Sequence, residues 1–125
     1  MSVLVDTSVW IDYLRIGTQE RHIDTLIEEN LIVINELILS ELVPTLTIQR
    51  QSKIISLLNL FPKQSISIDW NEIILFQTRC LKKGFNGIGI PDLIIAQNAI
   101  QHHTALYSID KHFRLLAEIS SLKLL

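Results

Sequence analysis

Cysteine occurs once, at Cys80, so no disulfide can close within the chain. A fold that holds without one suits a reducing compartment. Long apolar runs are also missing: none nears the roughly 18 residues a membrane span needs. The first apolar run stops at Asp6, which gives no signal-peptide pattern. These absences lead to the expectation of a soluble cytoplasmic protein. Glycine and proline are sparse, four and three in 125 residues, and 19% charged against 48% hydrophobic residues excludes a disordered chain. Basic excess is lacking too: the formal net charge is −2, which speaks against a protein that coats nucleic acid by overall charge. With no repeat, low-complexity stretch or linker, one domain over residues 1–125 is expected. A chain of that size can bury roughly two thirds of its unfolded surface.

Short β-rich runs alternate with helical stretches. Strands are expected at Ser2–Asp6, Leu31–Ile34, Ser65–Ile68, Thr104–Ser108 and Leu122–Leu125. Between them, Val9, Trp10, Tyr13 and Leu14 share a helical face, as do Ile23, Leu26 and Ile27; Trp70, Ile73, Ile74, Gln77 and Leu81 form a third stripe. Asn35 can cap a helix beginning at Glu36, and Pro91 suits a first helical position after the loop of Gly84, Gly87 and Gly89. Runs such as VLV and LIVI are apolar throughout, as a parallel sheet covered on both faces requires.

Against that pattern stand four acids. "VLVDTSVWIDYLR" brings Asp6 to the end of the first strand, the edge where open parallel sheets bind ligands. Glu41 lies about two turns into a helix, flanked by Ile38, Leu39, Leu42 and Val43. Asp92 opens the apolar helix "PDLIIAQNAI", and Asp110 follows a strand in "YSIDKHF". Capping explains Asp6, Asp92 or Asp110 taken singly, but not Glu41. Converging carboxylates repel, and a proton or a cation must relieve them. Oxygen-only ligands point to Mg²⁺ or Mn²⁺; the lone cysteine and scattered histidines give no zinc spacing.

These segments, "VLVDTSVWIDYLR", the Glu in "LILSELV", "IPDLIIAQNAI" and "ALYSIDKHF", resemble in order and spacing the PIN-domain ribonucleases, most of all the small VapC-type toxins of toxin–antitoxin pairs. The resemblance covers nearly the whole chain. It implies an α/β fold, a three-layer α/β/α sandwich around a parallel sheet of about five strands. It implies Mg²⁺- or Mn²⁺-dependent hydrolysis of RNA by a metal-activated water, with Asp6, Glu41, Asp92 and Asp110 as catalytic and metal-binding residues. Asp6 and Asp92 would be first-rank ligands, and Thr7, Ser8 and Ser108 the hydroxyls beside them. A homodimer and a small antitoxin protein that blocks the site are implied as partners. The departure is Pro44–Thr45, where the family commonly has glycine: Pro44 disfavours helix at Val43, and a kink there would alter the groove for an antitoxin segment. Gln97 and Asn98 stand where an alanine-rich helix is usual.

Without the four acids the formal charge of −2 becomes +2, and Lys111 with Arg114 are the cations expected nearest the site. The glycine-rich "GFNGIGI" reads as a connection rather than a phosphate loop. His112 is expected on the surface, and Trp10 and Tyr13 in the core with base stacking as a secondary role. Rival readings are a PIN-domain RNA-processing nuclease outside any toxin pair, and a phosphotransferase or receiver-like domain using Asp6 as nucleophile. A dehalogenase-like enzyme wants a second Asp where Ser8 stands, and a receiver's late lysine is met only by Lys111, behind another acid. A PIN-like domain used only for binding is disfavoured because all four acids are present.

Overall fold

The computed structural model describes all 125 residues. Three short parallel strands form its centre: β1 (Val3–Val5), β2 (Ile32–Val33) and β3 (Ala105–Tyr107), in the order β2-β1-β3. Successive strand residues face opposite sides of a sheet. Val3, Leu4 and Val5 are all buried, so β1 is covered on both faces. The helices are α1 (Thr7–Arg15), α2 (Glu20–Glu28), α3 (Glu36–Ile48), α4 (Ser52–Leu60), α5 (Trp70–Lys82), α6 (Ile90–Gln101) and α7 (Lys111–Ile119). Helix α3 packs on α1 and α4, while α5, α6 and α7 pack on one another. This is the α/β/α arrangement of strands and helices expected from the alternating pattern.

The sheet is narrower than the expected five strands. Ser65–Ile68 and Leu122–Leu125 are not strands; the sheet is extended only by single parallel bridges, Ile34 with Lys63 and Leu106 with Leu124. The reason for the first lies in α6. Asn98 donates to the Ser65 carbonyl, Gln101 to the Ser67 carbonyl, and Gln97 bonds both the N–H and the carbonyl of Asp69. Side chains thus satisfy backbone groups that a ladder would otherwise take. Asn98 also accepts from Asn35 and Gln64, which accounts for two amide side chains inside an apolar helix.

Two further expectations are corrected. Of the stripe expected on α5, Ile73 is buried, but Trp70, Ile74 and Leu81 face solvent at 57%, 64% and 60% exposure, and Phe76 and Cys80 join Ile73 in the core. And α3 runs unbroken through Pro44. Proline removes one N–H from the helix, but Leu42 and Leu46 on either side are buried, so packing holds the turn. Asn35 caps α3, its Oδ1 accepting from the Ile38 N–H at 2.9 Å. Pro91 lies in the first turn of α6, behind Gly84 and Gly87, whose φ of 77° and 84° suit glycine. Gln77 donates to the Ile88 carbonyl and ties this loop to α5, which fixes where α6 begins.

No helix is long and apolar enough to cross a membrane.

Candidate metal centre

Parallel strands end together, so the residues that leave them meet at one edge. The Asp6 N–H donates to the Tyr107 carbonyl at 2.9 Å, so the residues after β1 and β3 are neighbours. Asp6 is 4% exposed. Its Oδ2 accepts from the Ser8 N–H at 3.3 Å, the Ser8 hydroxyl at 2.8 Å and the Ser108 hydroxyl at 2.9 Å. Asp6 therefore does cap α1, as the plainest reading of the sequence allows, but with one oxygen only. Ser108 Oγ in turn accepts from the Asp110 N–H at 3.0 Å, and Ser8 Oγ from the Ile109 N–H at 3.3 Å, which stitches the start of α1 to the start of α7.

The other acids are held in the same manner. Glu41 Oε1 accepts from the Thr7 hydroxyl at 2.8 Å. Asp110 caps α7, its Oδ1 accepting from the His112 N–H at 2.9 Å. Asp92, in the first turn of α6, has His112 Nδ1 at 3.0 Å from its Oδ2. In each of the four carboxylates one oxygen is held by hydrogen bonds and the other has no partner within the protein.

Electrostatics tie the four together. Burial raises the Asp92 carboxyl above its usual pKa; the His112 hydrogen bond opposes this, and the charges of Asp110 and Asp6 add to it. Glu41 is also raised, first by partial desolvation of its carboxylate although the residue as a whole is exposed. The Thr7 bond pulls it down, and the charges of Asp6 and Asp92 push it up. Like charges collected around Asp92 and Glu41 thus disfavour the ionisation of those two carboxyls. One ligand atom from each of Asp92, Asp110 and His112 lies within 4.8 Å of the others.

The residue that the sequence did not disclose is His112. Rather than lying free on the surface it is half-buried, with Nδ1 also 3.7 Å from Asp110 Oδ1. The available signal was its position two residues after a capping acid, which puts its N–H on that acid and starts its ring nearby. Lys111 and Arg114 are exposed on α7 and pair with none of the acids. Trp10 is 1% exposed and packs against Tyr13 and Phe61, so it offers no face to a base.

The donor set is carboxylate-rich, each acid is oriented through one oxygen, and mutual repulsion awaits a positive charge. That chemistry fits a hard divalent cation such as Mg²⁺ or Mn²⁺. Fold and site together define an α/β protein with a group of acids at the carboxyl edge of a parallel sheet. The chain belongs to the PIN-domain family, whose model matches residues 3–119. No curated protein matches it in sequence. Among solved structures, a chain of VapBC2 from Rickettsia felis, bound to a DNA fragment from its promoter, superposes with a TM-score of 0.77 at 23% identity, covering 100% of this chain and 98% of that one. A chain of DNA-bound VapBC from Salmonella typhimurium gives 0.76 at 12% identity, over 100% and 97%. VapBC-1 from nontypeable Haemophilus influenzae gives 0.71 at 20%, over 100% and 97%. These likenesses establish a shared fold.

Proposed function

We propose that the chain is a Mg²⁺- or Mn²⁺-dependent endoribonuclease of the VapC type, the toxin of a toxin–antitoxin pair acting in the cytoplasm. One observation carries the reading: Asp92 and Asp110 lie together with His112, the charges of Asp6 and Asp92 bear on Glu41 and that of Asp6 on Asp92, and each of the four carboxylates has one oxygen held and one left unbonded. Membership of the PIN family and the fold shared with VapBC chains support it.

In this reading Asp6, Asp92, Asp110 and Glu41 would hold the cation. When bound, the ion neutralises the acids, lowers the pKa of a water and offsets charge on the phosphate. The remaining chemistry belongs to the chain. Ser8 and Ser108 keep Asp6 from rotating, and Thr7 does the same for Glu41, so the oxygens are aimed before the substrate arrives. No Ser–His or Cys–His hydrogen-bonded pair lies at the site; in this reading the nucleophile is a cation-activated water, which would leave 5′-phosphate and 3′-hydroxyl ends.

A groove of about 240 Å³ opens beside Glu41, walled by Ile11, Leu14, Leu42, Leu46 and Ile54. An amphipathic antitoxin segment would seat apolar side chains there. An arginine on it would then reach the acids and compete with the cation. The active form is read as a homodimer, the commonest oligomer; a solution mass of one chain would count against that.

The test is cleavage of RNA by the purified chain with Mn²⁺ or Mg²⁺. Activity should vanish in EDTA and fall at least about 100-fold in Asp6→Asn and Asp92→Asn, the scale of losing a group that stabilises charge in the transition state. Cleavage that survives EDTA, or that both variants retain, would sink the proposal.

A further inference from the structure

His112 joins two acids that no other side chain joins. Its backbone N–H donates to Asp110 Oδ1 at 2.9 Å, and its ring Nδ1 lies 3.0 Å from Asp92 Oδ2. Asp92 has no other hydrogen-bond partner in the protein. An ionised carboxylate only accepts, so Nδ1 carries a proton and donates it in this contact. A nitrogen holding that proton cannot also hold a cation. What the contact does is stop Asp92 from turning: with Oδ2 engaged, Oδ1 is the oxygen presented.

We propose that His112 is a positioning residue for the metal centre, acting through Asp92 and resting on the nuclease reading above. The cap on Asp110 fixes the main chain of His112, that main chain fixes the ring, and the ring fixes the Asp92 carboxylate. The planar ring suits the task because it aims a single N–H at one oxygen of the acid. A lysine there would neutralise Asp92 and weaken the site. Partners that orient a metal ligand in this way are worth about 10–100-fold in metal affinity.

The experiment is Mn²⁺ titration followed by electron paramagnetic resonance, without RNA, on the wild type, His112→Ala, His112→Asn, His112→Gln and Asp92→Asn. Asparagine puts an amide nitrogen where Nδ1 sits; glutamine puts one where Nε2 sits. Mn²⁺ affinity should fall about 10-fold or more in His112→Ala and His112→Gln, and stay within about threefold of wild type in His112→Asn. Wild-type affinity in His112→Ala, or a loss in His112→Asn equal to that in His112→Ala, would overturn the proposal; the latter would make the ring itself a ligand. Should His112→Ala not fold, the asparagine-against-glutamine comparison decides alone. Asp92→Asn separates the levels. If it binds Mn²⁺ as the wild type does, the metal centre itself falls; if it loses binding while His112→Ala keeps it, only the positioning role falls.

Discussion

Asp6 accepts three hydrogen bonds on Oδ2 and none on Oδ1, so helix cap and candidate ligand are different atoms of one side chain. Asp110 divides its oxygens the same way. The sequence could therefore not choose between cap and ligand, because one side chain has an oxygen bonded as a cap and a second oxygen left free. Glu41 and Asp92 make a different point. Their folded pKa values lie above the ordinary 4.5 and 3.8. A carboxyl raised by folding binds its proton more tightly in the native state, so its effect on stability worsens as pH climbs from the ordinary value through the folded one. In EDTA at neutral pH, Glu41→Gln and Asp92→Asn should each melt above the wild type, Glu41→Gln by the smaller margin because solvent screens its exposed carboxylate. The difference should close at least about one pH unit below those ordinary values, where both carboxyls are protonated in either state. Thermal melts across that range check it; a wild type at least as stable as both variants at neutral pH would refute it. At this scale the acids were legible because charge beside apolar runs is conspicuous. His112 was not, because its partner Asp92 lies 20 residues earlier and on another helix.

Among the elements, α6 carries more than its apolar sequence suggests. Asn98 accepts from Asn35 and Gln64 and donates to Ser65, all at 3.0–3.1 Å. Asn35 is also the cap of α3, the helix that bears Glu41. Asn98→Ala leaves three polar groups without their partner, two of them buried amides. It should cost about 3 kcal/mol, measured as a drop in urea midpoint at unchanged slope. A cost below ~1 kcal/mol would show that water replaces the amide without loss. The same contacts explain why one strand-like segment is no strand. Ser65–Ile68 alternates as a strand does, yet its backbone is claimed by side chains from a helix some thirty positions on, which no local pattern reports. Trp70, Ile74 and Leu81 are hard to place for a related reason: helical spacing identifies a face but not which of two apolar faces turns inward. Pro44 is the converse, a local rule overridden by burial of its neighbours.

Over the whole molecule, alternation of strand and helix was enough to foresee a parallel sheet between helices, with Asp6 leaving the carboxyl end of its central strand. It overstated the sheet because the outer segments touch it through single bridges. What the fold does globally is bring Asp6, Glu41, Asp92 and Asp110, from the starts of α1, α6 and α7 and the middle of α3, to one place. The core of 29 hydrophobic residues holds them there against their repulsion. A cation that binds only the assembled site must then stabilise the entire fold, since the unfolded chain scatters its ligands. At a free Mn²⁺ concentration about 100 times its Kd, the gain is ~2.7 kcal/mol. For a domain of this size that corresponds to roughly 8 °C in Tm. Screening alone would also ease the repulsion, so the comparison must be made at matched ionic strength with sodium chloride. The expected result is a rise with Mn²⁺ that sodium does not reproduce and that the double variant Asp6→Asn/Asp92→Asn loses. Equal shifts in wild type and double variant would mean that Mn²⁺ acts elsewhere on the surface, and that the converged carboxylates are not where the ion binds.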